Sequence, residues 1–189
     1  MKIQFIGAIA AGVASLAVAV PAQAFFYNGS TAGQPTWNRP EPNGTLPPDT
    51  LDSSATSTPY QNLDFLVDTS GSYTISALTT GWPMALFLYE NSFNPTQPLT
   101  NVRIGNIDGL GATNPQFDFT LTAGVQYSLV ATGFFNDDSG TYTGFINGPG
   151  QVTQVPVPPQ AVGTVLLAGL AAIKQRRDRK AAVHKSMKN

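Results

Sequence analysis

Between Tyr60 and Ile146 the apolar residues recur with a period of two, in short runs separated by Gly, Asn, Asp and Ser. A chain patterned in this way is restricted to extended strands. Leu63, Phe65 and Val67 alternate with Asn62, Asp64 and Leu66, and Tyr73, Ile75 and Ala77 alternate with Ser72, Thr74 and Ser76. Phe117, Phe119 and Leu121 alternate with Asp118 and Thr120, and Val125, Tyr127, Leu129 and Ala131 repeat the same period. Met84 to Tyr89 is almost wholly apolar and reads as a buried strand. Tyr142 to Ile146 gives a last strand before Asn147-Gly148-Pro149-Gly150 ends the run. About seven short strands with turn signals between them predict an all-β fold, an antiparallel β-sandwich. Its inward residues are Leu63, Phe65, Tyr73, Ile75, Leu86, Leu88, Phe117, Phe119, Tyr127 and Leu129. No segment from Tyr60 to Gly150 keeps a helical period.

Ahead of the strands, Asn28 to Pro59 is rich in Pro, Gly, Ser and Thr, and its prolines exclude a helix or a central strand. It predicts an extended lead-in, with Trp37-Asn38-Arg39 held as an edge strand and the indole packed onto the sandwich. The organisation is therefore residues 1–24 as a signal peptide, 25–59 as lead-in and 60–150 as sandwich. A linker with a proline motif follows at 151–160, and an apolar helix with a basic tail at 161–189.

Both ends carry export signals. Met1-Lys2 and the apolar, Ala-rich run from Ile3 to Val20 form the charged and hydrophobic parts of a secretory signal. Ala22 and Ala24 supply the small residues that signal peptidase admits, which predicts cleavage after Ala24. The alternative is an uncleaved N-terminal membrane anchor. At the other end, Val155-Pro156-Val157-Pro158-Pro159 leads into the apolar stretch Ala161 to Ile173 and then a basic cluster containing Arg176, Arg177, Arg179 and Lys180. Thirteen residues rise about 20 Å as a helix, short of the roughly 30 Å hydrocarbon core. The basic cluster would stop transfer and stay cytoplasmic, leaving the preceding domain outside. This ordered triple resembles the PEP-CTERM class of sorting signals, although Val157 stands where the common motif has Glu and the tail runs on to Asn189. The resemblance implies a membrane transpeptidase of the exosortase type as partner, cleavage near Pro158, and display on the cell surface or in the extracellular matrix. An ordinary, unprocessed C-terminal anchor is the alternative.

Composition narrows the chemistry. The chain has no Cys, so disulfides, thiolate metal sites and cysteine nucleophiles are excluded. From Phe25 to Gln160, ten carboxylates stand against Arg39 and Arg103, a net charge of −8, whereas seven Lys/Arg and Asp178 make the tail +6. An acidic domain with two cations has no footprint for nucleic acid. The single histidine, His184, lies in the basic tail and cannot join a triad in the domain. The carboxylates mostly sit in turn contexts such as Asp108-Gly109, so we expect no enzyme and no obligatory cofactor.

Two loops are candidates for Ca²⁺, one with Asn106 and Asp108, the other with Asn136, Asp137 and Asp138; plain hairpin turns are the competing reading. Trp37, Trp82, Phe134 and Phe135 are candidate platforms for a surface polysaccharide, because they fall in loops or at strand ends. The series Phe65-Leu66-Val67, Ser70-Gly71-Ser72-Tyr73-Thr74-Ile75, Leu86-Phe87-Leu88-Tyr89, Asn106-Ile107-Asp108-Gly109, Leu121-Thr122-Ala123-Gly124-Val125-Gln126-Tyr127 and Gly140-Thr141-Tyr142 resembles the bacterial pre-peptidase C-terminal type of domain. That resemblance implies a jelly-roll-like, non-catalytic sandwich of a secreted protein, of a kind that sometimes binds polymers or calcium. The two functions left standing are a non-enzymatic surface or matrix protein and a carbohydrate-binding module.

Overall fold

A computed structural model describes residues 24–42, 46–107 and 113–156. The signal segment, Asp108 and the apolar stretch with its basic tail lie outside these residues, so the two expected terminal helices do too. The described residues form ten strands: β1 (Phe25–Ser30), β2 (Thr36–Trp37), β3 (Thr58–Val67), β4 (Gly71–Thr79), β5 (Met84–Glu90), β6 (Val102–Ile107), β7 (Gln116–Leu121), β8 (Tyr127–Gly133), β9 (Thr141–Asn147) and β10 (Val152–Gln154).

Four strands in the order β1-β9-β4-β7 make one sheet; the order β10-β3-β8-β5-β6, with β2 added beside β3, makes the other. The registered pairs in both sheets are antiparallel. Most connections cross from one sheet to the other, and β5–β6 is a local exception. The alternation read from the sequence sets the facing side chains. Tyr73, Ile75, Phe117, Leu121 and Ile146 of the first sheet meet Phe65, Met84, Leu86, Leu88, Tyr127 and Leu129 of the second in one buried cluster, with Leu63 and Phe119 packed at its margin.

The sandwich extends past the 60–150 span at both ends. Phe25–Ser30 pairs along its length with Thr141–Ile146, and Val152–Gln154 lies beside β3. Tyr27 points inward from β1, where its hydroxyl donates to the carbonyl of Ser76 at 2.8 Å. Gly144 makes this reach possible, because a Cβ there would collide with the Tyr27 ring.

The apolar run of β5 is explained by a second layer. Its even-numbered residues face the first sheet, while Ala85, Phe87 and Tyr89 on the opposite side join Trp37, Val102 and Val130 in a separate buried cluster. Part of the cover is the lead-in. Trp37 is 4% exposed, stacks edge-on against Phe87 at 5.7 Å and Phe93 at 5.2 Å, and donates its indole N–H to Thr132 Oγ1 at 3.1 Å. The loop carrying Phe93 completes the cover between Asn91 and Asn101, whose positive φ angles of 71° and 66° suit asparagine.

The lead-in is fastened by Arg39, whose side chain is fully buried. Its Nη2 lies 2.7 Å from Asp52 Oδ2, its Nη1 donates to the Pro40 carbonyl at 3.0 Å, and Nε and Nη2 both donate to the Phe134 carbonyl at 3.3 and 2.9 Å. The guanidinium also sits 5.5 Å from the Phe134 ring centroid. One cation thus joins the lead-in, the 52–55 turn and the loop after β8. Burial pushes the Asp52 carboxyl up, but hydrogen bonds from the Ser54 hydroxyl and N–H, the Arg39 charge and the Ala55 N–H outweigh this and hold it below the usual carboxylate range.

The sign of the pH effect follows. A carboxyl whose folded value is depressed contributes stability that is complete above its unfolded value, about 3.9, and is lost as pH falls through the folded value. We expect Asp52→Asn to melt well below the parent at pH 7, by the equivalent of about 3–5 kcal/mol, because it leaves a buried cation unpaired. The gap between the two melting curves should close as pH is lowered from about 5 toward 2. A gap that stays constant over that range would sink this account of Arg39.

Candidate functional site

The loop after β8 was the leading candidate from sequence, and its groups are largely engaged in holding the fold. Phe134 lies beneath Arg39, and Phe135, 42% exposed, packs edge-on against it with ring centroids 4.5 Å apart. Asn136 Oδ1 accepts from the Ser57 N–H at 2.8 Å and the Thr58 hydroxyl at 3.4 Å, which ties the loop to the end of the lead-in. Asp138 Oδ2 accepts from the Phe135 N–H at 2.7 Å, and the Asp138 N–H returns a bond to the Phe135 carbonyl at 3.2 Å. Asp137 is exposed. Oxygens committed to backbone donors fit the hairpin-turn reading of this loop, the alternative to the candidate cation site. Among the described residues no group of three or more His, Cys, Asp or Glu converges. Asn106, at the end of β6, keeps a buried Oδ1 without a hydrogen-bond partner among the described residues, and its candidate companion Asp108 is outside them.

Two of the four candidate aromatics are corrected by their positions. Trp37 is inside the second apolar cluster, and Trp82 is a buried member of the main core whose indole donates to the Thr141 carbonyl at 3.3 Å. Both indoles are buried, Trp37 over the outer side of β5 and Trp82 within the main core. Of the sorting motif, Val155 and Pro156 are described, half-buried and exposed respectively, whereas Val157, Pro158 and Pro159 lie outside. Ala24 is exposed directly before β1; Ala22 and the stop-transfer residues Arg176, Arg177, Arg179 and Lys180 also lie outside the described residues. Among the described residues no helix is long and apolar enough to cross a membrane.

A site that sequence reasoning missed lies on the outer face of the four-stranded sheet. Here a groove of about 450 Å³ is lined by side chains from β1, β4 and β9 and by residues in and just before β7. The register aligns Phe26 with Phe145, Phe145 with Ser76, and Ser76 with Gln116, forming one row across all four strands. Leu78 and Asn28 stand in the adjoining row, each opposite Thr143. Phe26 is 77% and Leu78 53% exposed, which is unusual for large apolar residues in the middle of strands. Ser76 is pinned beneath them, its hydroxyl donating to Asn114 Oδ1 at 3.1 Å. Among the described residues, no charged side chain lines the groove. The sequence signal for this face was the outward half of each alternation, which holds Phe26, Leu78 and Phe145 where polar residues are the norm.

No protein-family model matches the sequence, and a search of curated proteins finds no match. Among solved structures, the chain is similar to the pre-peptidase C-terminal domain of a collagenase from Bacillus anthracis, with 18% identity and a TM-score of 0.39 over 68% of this chain and 88% of that one. It is also similar to a family 35 carbohydrate binding module from an environmental isolate, with 9% identity and a TM-score of 0.40 over 70% of this chain and 99% of that one. The surfaces of this chain, rather than these likenesses, carry its functional reading.

The positions of the aromatics lead to opposite expectations for two substitutions. Trp37→Ala should cost about 3–5 kcal/mol, since it opens a cavity over Phe87 and Tyr89 and removes the bond that Thr132 Oγ1 accepts, leaving only the one it donates to the Pro59 carbonyl. Phe135→Ala should shift stability by less than about 1 kcal/mol, because the ring is largely solvated. Chemical denaturation measures both, and a Trp37→Ala variant as stable as the parent would contradict its role as cover.

Proposed function

We propose that this chain is a non-enzymatic component of the cell surface or extracellular matrix, exported through its N-terminal signal and brought to its place by the C-terminal motif. The observation that supports this best is the unequal treatment of the two outer faces. One is covered by the chain's own lead-in and the loop carrying Phe93, and the other is open among the described residues, with exposed apolar side chains, as suits a module that meets something outside itself. Asn136 and Asp138 of the loop after β8 are engaged as turn acceptors, and Trp37 and Trp82 as cover and core.

In this reading signal peptidase cuts after Ala24, and the strand Phe25–Ser30 becomes the first element of the mature protein. Pro156, Pro158 and Pro159 hold the segment after β10 extended for an exosortase-type transpeptidase, since proline fixes φ and removes a backbone donor. The apolar stretch and Arg176, Arg177, Arg179 and Lys180 detain the chain in the membrane until that cut.

Intact-mass measurement of the protein from its native cells tests the proposal. The expected mature species lacks the first 24 residues and everything after roughly Pro158. A species retaining Lys174 to Asn189 would reduce the C-terminal segment to a simple anchor, and one retaining Met1 to Ala24 would remove the export reading.

A further inference from the structure

We infer that the groove on the outer face of the four-stranded sheet is a binding site for a neutral polysaccharide, laid across the strands along the row from Phe26 to Gln116. The inference rests on the reading of the chain as a non-enzymatic exported module and adds to it a site and a ligand class. The row spans three inter-strand steps of about 4.8 Å, about 14 Å in all, which accommodates a short run of sugar units. The groove volume of about 450 Å³ falls within the range of ligand sites, roughly 300–1,000 Å³.

The chemistry of the lining selects the ligand. Phe26 and Phe145 are direct cross-strand neighbours, and their rings offer apolar surface to the C–H faces of sugar rings. Around them stand Asn28, Asn114 and Gln116, all exposed. A carboxamide both donates and accepts, as a sugar hydroxyl does, so the two match without any charge on either side. A charged ligand would find no partner of opposite charge among the described lining residues. An anionic polymer would also meet the net charge of −8 carried between Phe25 and Gln160, which repels it before contact. A protein partner fits less well, because two phenylalanines and one leucine set among amides and hydroxyls fall short of the roughly 800 Å² per side that a stable protein interface covers.

Calorimetric titration of the full chain in detergent micelles tests this, with cellohexaose, xylohexaose, maltohexaose and mannohexaose as neutral probes and hexagalacturonate as the anionic one. At least one neutral hexasaccharide should bind saturably and more tightly than hexagalacturonate. Phe26→Ala and Gln116→Ala should each weaken that binding by about tenfold or more without moving the melting temperature, since both side chains are exposed. Phe135→Ala, on the loop after β8, should leave it unchanged. Absence of binding by every neutral probe overturns the inference, as does preference for hexagalacturonate. Binding that survives Phe26→Ala and Gln116→Ala but is lost in Phe135→Ala moves the site to the loop and overturns it too. Concentration-dependent dimerisation abolished by Phe26→Asp would make a second copy the occupant, again overturning it. The mass measurement on native protein is independent of these titrations, so a failed site and a failed export reading are told apart.

Discussion

The buried guanidinium of Arg39 is the interaction on which the rest of the sandwich depends. A central strand with apolar residues on both faces needs two layers of cover, and this chain has no cysteine with which to staple a second layer in place. The cover is a proline-rich segment with few backbone ladder bonds, so its hold must come from side chains. Arg39 supplies it by satisfying the Phe134 and Pro40 carbonyls and the Asp52 carboxylate together. A charge taken fully out of water is tolerable only when its donors are used in this way. Removing the cation would leave these carbonyls short of a donor and the lead-in without its tie to the loop after β8.

From that fastening follows the asymmetry of the molecule. The six-stranded sheet is covered on both sides, whereas the four-stranded sheet is covered only on its inner side among the described residues. The inner side is itself tied across the sandwich, since Gln61 of β3 accepts at Oε1 from both the Ser30 N–H and the Tyr142 hydroxyl. Burial pushes the Tyr142 phenol up to about 12, so that it remains a donor at any physiological pH. The open face therefore rests on a rigid floor, which suits recognition by fixed side chains better than by an adaptable loop.

Much of the fold was legible because strand alternation is a local property. The runs at Leu63–Val67, Tyr73–Ala77 and Phe117–Leu121 specify their own inner faces, and the structure places Phe65, Tyr73, Ile75, Leu86 and Leu88 as the pattern requires. The cover by Trp37 was legible too, as an indole beside prolines that bar it from a central strand. Less legible was Phe25–Ser30, a strand hidden between an expected signal peptide and a Gly/Pro-rich stretch, whose partner lies more than a hundred residues away. The groove was hidden for the same reason. Period two tells which residues share a face, but it does not tell that Phe26, Phe145 and Gln116 come from strands placed side by side. The loop candidates misled because an exposed-looking Trp or Asp in sequence gives no sign of what will fold over it.

The pairing of Phe25 with Ile146 also sets an order of events for the folding chain. A polypeptide that emerges amino end first presents β1 at once, yet its neighbour β9 arrives only after almost the whole domain has followed. Until then the first edge has no ladder to join, and contacts between such distant segments form late and slowly. The topology thus delays completion of the four-stranded sheet until β9 has been made. A first strand that waits for the ninth remains an unpaired edge for as long as the chain between them is incomplete.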